Sequence, residues 1–382
     1  MASKNSGKKI LVMTDWFEPG YKAGGPIRSC VNFAEHMKAH YEIFILTGDR
    51  DLGDKEPYKE IKSDAWQEVD GIHVFYASPT RQSYASLKKI VSSIRPDFIY
   101  LNSLFSQRFT IFPIVMHWLG GLKSKLVLAP RGMLKASALN FKKTKKEIFL
   151  SVFKMGGLQK RLVWQATDKQ EEQDILKKFP GARVIEAANF PARILKAAET
   201  VTKMKGSLRM VFIGRIHPIK NLDFLLTVLK DCDANIELDL IGILEDKAYW
   251  EKCQAQIATL PKAIKVNFLG EMKHDRLLTV LQRSHIFALP TTGENFGHAI
   301  FEALAAGRPV LISDQTPWRQ LRQAKAGWDI PLNASAEFRN AILAALDWDQ
   351  NIFDQWSKSA WNFAENSVDS NGLMNTYEQL FS

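Results

Sequence analysis

The stretch Glu294-Asn295-Phe296-Gly297-His298-Ala299-Ile300-Phe301-Glu302 decides how the chain is read. Before it lies an apolar run, Ser284-His285-Ile286-Phe287-Ala288-Leu289-Pro290, with the length of a buried strand. Thr291-Thr292-Gly293 reads as a turn. From Gly297 the spacing of Ile300, Phe301 and Leu304 is helical, Gly307 is placed to stop the helix, and Arg308-Pro309-Val310-Leu311-Ile312 is the next strand. A strand-loop-helix-strand unit of this kind belongs to a parallel sheet, and its loop lies at the carboxyl end of the strands, where open α/β folds bind ligands. Glu294 falls in that loop, and Glu302 shares a helix face with His298 one turn earlier. The amides near Phe296 and Gly297 head the helix and favour an anion. Two carboxylates beside an anion site suit a ligand with hydroxyls and phosphate together, as in a nucleotide sugar; the plain alternative is two surface glutamates at an ordinary helix start.

The same alternation runs outward in both directions. Strands are expected at 10–13, 41–46, 98–101, 125–129, 162–165 and 182–186, with a hairpin of 65–69 and 72–77 turning at Asp70-Gly71. Helices are expected at 27–38, 84–94, 109–118, 142–153 and 169–178. A polar connector follows, and the pattern restarts with strands at 210–213, 236–241, 264–269, 285–289 and 310–312 and helices at 222–230, 248–260, 274–283 and 297–306. Trp-rich helices fill 336–381. The fold class is α/β: two doubly wound Rossmann-like domains facing a central cleft. The domains are expected at 1–192 and 207–360, with a linker at 193–206 and a last helix, 361–382, that can pack back on the first domain.

Composition narrows the class. The 382 residues are 46% hydrophobic and 24% charged, as in a globular protein with a large core. A net charge of +10 favours an anionic partner. Cys30, Cys232 and Cys253 are too few and too scattered for a disulfide framework or a metal site, which fits a reducing compartment. Neither a secretory leader nor an apolar run of membrane-spanning length stands out, so a cytoplasmic protein is expected, peripheral at most to the inner membrane face. His217, His285 and His298 sit on different elements and read as loop, core and helix-face residues rather than metal ligands.

A second motif, Gly214-Arg215-Ile216-His217-Pro218-Ile219-Lys220-Asn221, leaves the first strand of the second half. Asn221 is placed to cap the helix from Leu222. Arg215 and Lys220 project from one loop at the same sheet edge as Glu294, and two cations there can neutralise a diphosphate. The alternative is a solvated basic loop. Lys142, Lys143, Lys145 and Lys146 likewise read first as a solvated helix face; the sharper reading is docking to an anionic membrane that carries a lipid-linked acceptor.

Taken together, Gly214-Arg215, Lys220-Asn221, Glu294 and Glu302 resemble the signature of family-4 retaining glycosyltransferases of GT-B architecture. Gly24-Gly25-Pro26, Ala129-Pro130-Arg131-Gly132-Met133-Leu134 and Ala166-Thr167 resemble further stretches of that family, and the likeness runs over about 9–332. It implies that Arg215 and Lys220 bind the donor diphosphate and stabilise the leaving group. It also implies that Glu302 holds the ribose, that Glu294 holds the donor sugar near its reacting carbon, and that the Asn295, Phe296 and Gly297 backbone faces sugar and phosphate. Gly24 and Gly25 would let a first-domain loop approach phosphate closely, and 269–273 would lie near the base. The resemblance further implies a front-face route with an oxocarbenium-like transition state, no metal and no cofactor beyond the nucleotide-sugar donor. Where many members have a first-domain His, this chain has Pro130-Arg131-Gly132. Arg131 therefore either faces acceptor or phosphate or braces its loop. The expected reaction is retaining transfer of a sugar to a glycan or lipid-linked acceptor in cell-surface polysaccharide synthesis, with no nucleic acid partner. The alternatives are a GT-B epimerase or hydrolase of nucleotide sugars, or a non-catalytic binder of anionic glycans.

Overall fold

The computed structural model describes residues 7–135, 139, 143–193, 201–367 and 370–382. The chain divides into two units, Met1–Phe190 with Asp369–Ser382, and Pro191–Val368.

The first unit is built on an eight-stranded sheet. Its strands are β1 (Lys9–Met13), β2 (Glu42–Gly48), β3 (Trp66–Val69), β4 (Ile72–Ala77), β5 (Phe98–Leu101), β6 (Lys125–Leu128), β7 (Val163–Ala166) and β8 (Arg183–Glu186), in the order β3-β4-β2-β1-β5-β6-β7-β8. All neighbours are parallel except β3 and β4, whose turn residues Asp70 and Gly71 both have positive φ, as a two-residue hairpin requires. The helices are α1 (Gly25–Met37), α2 (Tyr84–Ile94), α3 (Phe112–Trp118), α4 (Lys143–Met155) and α5 (Lys169–Lys178). Alternate side chains of β1 go to opposite cores. Leu11 and Met13 join one apolar cluster; Ile10 and Val12 join the other. Both faces of the sheet are therefore covered at its centre, which is why β1 and β5 read as apolar runs.

The second unit has β9 (Ser207–Ile213), β10 (Asn235–Ile241), β11 (Ile264–Gly270), β12 (Ile286–Leu289), β13 (Val310–Ser313) and β14 (Gly327–Ile330), all parallel, in the order β11-β10-β9-β12-β13-β14. Counted from β9 this is 3-2-1-4-5-6, the dinucleotide-fold order, and its direction of winding reverses between β9 and β12. The helices are α6 (Leu222–Lys230), α7 (Lys247–Ile257), α8 (His274–Arg283), α9 (His298–Ala305), α10 (Ser335–Asp347) and α11 (Gln350–Asn366).

Three sequence expectations need correction. β14 was not anticipated: it has four residues and follows a charged segment, so no periodicity marks it. Gly327 opens it because a Cβ there would lie 2.0 Å from the Val310 carbonyl oxygen. The unit boundary falls at 368 rather than 360, since α11 runs through it and buries Phe353, Ala360 and Ala364 in the second core. Of the linker expected at 193–206, residues 194–200 lie outside the described residues, whereas Val201 and Lys203 are buried in the second unit. The chain then returns to the first unit with α12 (Ser370–Leu380), whose Tyr377 and Leu380, with Phe381, enter its core.

Candidate active site

In the second unit, the ends of β9 and β12 flank the point where the winding reverses. Gly214 and Arg215 leave β9, a single 3-10 turn covers Pro218–Lys220, and α6 begins at Leu222. The His217 Nδ1 accepts from the Ile219 amide at 3.2 Å and caps that turn. Asn221 stands at the head of α6 in a left-handed conformation, φ 58°, and its side chain makes no capping bond. The expected cap is therefore replaced by a backbone bend. Gly242, which leaves β10, lies so close to β9 that a Cβ would come 1.9 Å from the Gly214 carbonyl oxygen.

The two loops are tied by one acceptor. The Ile219 carbonyl takes the Thr292 amide at 2.8 Å and the Thr291 and Thr292 hydroxyls at 2.9 and 3.2 Å. This knot brings Lys220 and Glu294 together: the Lys220 ammonium donates to Glu294 Oε1, with side chains only 16% and 13% exposed. A charge-assisted bond of this kind holds both heads in one orientation. Arg215 is turned toward Glu245, beyond the end of β10, with Nη1 2.5 Å from its carboxylate, in a far more exposed pair.

Past Glu294 the loop is clamped from a third strand exit. The Glu294 amide donates to the Gln315 carbonyl at 3.0 Å, and the Trp318 indole donates to the Phe296 carbonyl at 2.6 Å. The Trp318 ring also packs on Phe296 and Phe301. Gly297, φ 77°, then turns the chain into α9, and a Cβ there would lie 2.9 Å from Ile300. Glu302 is 6% exposed, and its Oε1 lies 3.8 Å from Nδ1 of His274, the first residue of α8. The exits of β9, β10, β11 and β12 thus supply cations and carboxylates to one sheet edge. Trp318, Gln315, Thr291 and Thr292 were missed by sequence reading, because each acts through a backbone group far away in sequence. Among the described residues, no group of three or more His, Cys, Asp or Glu could hold a metal ion.

In the first unit the corresponding reversal lies between β1 and β5. There Asp15, beyond β1, accepts from the Ser106 hydroxyl at 2.8 Å, and burial pushes its carboxyl above the usual range. Gly24 heads α1 with φ 63° and open space where a Cβ would stand, and Gly25 is the first helical residue. The Asp51 carboxylate holds that loop by accepting the Tyr21 and Lys22 amides at 2.7 and 3.1 Å. Arg131 is engaged within this unit. Its guanidinium donates to Asn189, to the Tyr100 hydroxyl at 2.7 Å and to Asn102 Oδ1 at 2.6 Å. Tyr100 in turn donates to Gln165, which donates to Tyr377 at 2.9 Å. Of the lysine cluster, Lys142 lies outside the described residues, and Lys146 is drawn inward, 5.0 Å from the Phe105 ring centre.

Solved structures of the same architecture define the class. The chain is similar to HepE of Anabaena, solved in complex with UDP and glucose, with TM-score 0.67 and 17% identity over 98% of each chain. It is similar to a mutant of S. aureus TarM in complex with Fondaparinux, alpha-GlcNAc-glycerol and UDP, with TM-score 0.69 and 12% identity over 98% of this chain and 100% of that one. Likeness at this level establishes a GT-B fold. Residues 196–362, most of the second unit, match the model of the family glycosyl transferases group 1. A phosphatidyl-myo-inositol mannosyltransferase of Mycobacterium leprae is 29% identical over 143 residues, 36% of this chain and 37% of that protein. The matches span only about a third of the length of such curated relatives.

Proposed function

We propose that the protein is a retaining glycosyltransferase that moves a sugar from a nucleotide-sugar donor to a glycan or lipid-linked acceptor, without a metal. The observation that carries this reading is the Lys220–Glu294 pair, held nearly dry where the second sheet reverses its winding. Transfer breaks the bond between the anomeric carbon and phosphate oxygen while an acceptor hydroxyl bonds to that carbon from the same face and gives its proton to the departing diphosphate, on which negative charge grows. Lys220 and the amides at the head of α9 meet that charge, and Arg215 joins them by leaving Glu245 for the phosphate. Such preorganised positive charge is usually the largest catalytic contribution. Glu294, oriented by Lys220, accepts from donor-sugar hydroxyls, and Glu302 accepts from the ribose diol. The amide-bearing loop of Asn295, Phe296 and Gly297 stays in place because Trp318 and Gln315 hold its backbone. On the first unit, Gly24 and Gly25 offer open backbone to an anion, and Arg131 is given a bracing role.

The UDP and glucose bound to HepE support a nucleotide-diphosphate donor, and the name of the mycobacterial relative supports a lipid-linked acceptor. No described helix is long and apolar enough to cross a membrane, and we assign the protein to the cytoplasm, in polysaccharide or glycolipid synthesis. The test is a thermal-shift screen with UDP, GDP and ADP sugars, followed by transfer to glycan and lipid-linked acceptors. One donor should raise the melting temperature, and NMR should show the donor's anomeric configuration in the product. Inverted product would overturn the retaining step. Donor consumption without transfer to any acceptor would favour a hydrolase or epimerase, and no shift with any donor would remove the reading altogether.

A further inference from the structure

We propose that Asp15 is an acceptor contact of the transfer reaction, and that its unengaged carboxylate oxygen receives a hydroxyl of a neutral sugar. The assignment rests on the glycosyltransferase reading above and adds to it the chemistry of the second substrate. Asp15 stands just beyond β1, where β1 and β5 part and the first sheet reverses its winding. Doubly wound sheets bind their ligands at such a point.

The side chain is held by one of its two oxygens. Oδ1 accepts from the Ser106 hydroxyl at 2.8 Å. The Ser106 oxygen itself accepts the Phe109 amide at 3.2 Å, so its single proton is left for Asp15. The loop that carries Ser106 is pinned in turn. The Thr110 hydroxyl donates to the Ser103 carbonyl at 2.7 Å, and the Leu104 amide lies 3.4 Å from the Met133 sulfur. Oδ2 has no hydrogen-bond partner among the described residues, and it is not sealed from solvent. A carboxylate accepts and does not donate, so the group it selects is a donor such as a sugar hydroxyl.

The charges nearby favour a neutral acceptor. Burial pushes the Asp15 carboxyl up, against the pull of the Ser106 bond and the Arg108 guanidinium. Arg108 is steadied by Gln82, whose side-chain oxygen takes Nη1 at 2.6 Å while its nitrogen donates to the Ala77 carbonyl at 2.7 Å. In the loops after β1 and β2, Lys22 is paired with Asp54 and Arg50 with Asp49, both at 2.8 Å. A carboxylate or phosphate entering here would meet Asp15 as a like charge, with an exposed arginine to answer it. A hydroxyl meets no such penalty.

The experiment measures transfer by the full chain, from the donor that the melting screen selects, to octyl glucoside, galactoside and mannoside, each beside its uronic-acid counterpart. At least one hexoside should be glycosylated, and its uronide should have a kcat/KM lower by about tenfold or more, the cost of opposed like charges. Asp15→Ala should raise the acceptor KM about tenfold or more, as for a lost hydrogen bond to a charged group, and leave the donor KM at its wild-type value. A merely structural role would disturb both constants. Asp15→Asn keeps the shape and should raise the acceptor KM by a smaller factor, and it is read alone if Asp15→Ala melts early. Preference for a uronide would overturn the proposal and make Arg108 the group that reads the acceptor. So would a wild-type acceptor KM in the variants, or a donor that binds while no hexoside is glycosylated. In each of these cases the donor still raises the melting temperature and the transferase reading stands. If no donor does so, that reading falls and the Asp15 assignment falls with it.

Discussion

The two sheet reversals are built from opposite materials. In the second unit the loops meet as Lys220 and Glu294, with Arg215 and Glu302 paired to residues from neighbouring strand exits. In the first unit the charged group at the centre, Arg131, is bonded to neutral partners, Asn189, Tyr100 and Asn102. Exchanging one carboxylate partner for a phosphate is an even trade for a lysine or arginine. Withdrawing an arginine from three neutral acceptors leaves them all unmatched. On the proposed reading, the second edge releases its cations to a ligand, and the first keeps its cation in place.

The largest expected effect would break that contrast directly. Lys220→Ala should lower turnover by about 10²-fold or more, as for a lost charge-stabilising donor, and should also lower the melting temperature, because the nearly buried Glu294 carboxylate loses this cation. A steady-state assay beside a thermal melt checks this, and near-normal turnover would erase the distinction. Arg131→Met should act chiefly on stability. It should cost the first unit about 3 kcal/mol in urea unfolding, because the buried Asn102 and Asn189 amides lose their partner. Rapid loss of activity in a variant of undiminished stability would instead make Arg131 a substrate contact.

A third prediction uses pH. Burial lowers the His285 pKa to about 4, beside the Arg209 amide that its Nδ1 accepts. The unfolded chain binds a proton near pH 6.5 that the folded protein refuses until about pH 4. Stability from this group is thus complete above the unfolded value and is lost as pH falls toward 4. It should cost about 2 kcal/mol between pH 7 and pH 5. His285→Gln should flatten this dependence for the second unit and leave that of the first unit unchanged. The smallest effect is expected for Trp318→Phe, which keeps the ring packing and removes the bond to Phe296. A loss of about 1 kcal/mol, or roughly fivefold in kcat/KM for the donor, should follow. No change would show that the loop holds its shape without the indole.

The comparison also explains what could be read in the sequence. The second edge was legible because its charged residues stand in two short motifs on strand-to-helix loops, where fold rules alone put the ligand. Helix spacing located Glu302, and the apolar run before Thr291 located the strand. What ties the motifs together was not legible. The Ile219 carbonyl meets Thr291 and Thr292 more than seventy positions away, and no periodicity reports such a bond. Asn221 has the residue type of a cap yet bends the backbone instead. At the first edge the sequence marked Gly24, Gly25 and Arg131 but could not choose between roles for the arginine. Its partners come from separate strands and loops, and a further link in the network, Tyr377, arrives from the last helix.

That last helix sets an order of assembly. Phe33, Tyr100 and Phe190 form part of an aromatic box that is closed by Tyr377, stacked 4.3 Å from Phe190, and by Phe381, 5.6 Å from Tyr100. During synthesis the box is laid down early and waits open while the whole second unit emerges and folds. The half that is translated first is therefore the half that finishes last, and a released chain truncated near residue 367 would carry one completed unit and one with its apolar seam still showing.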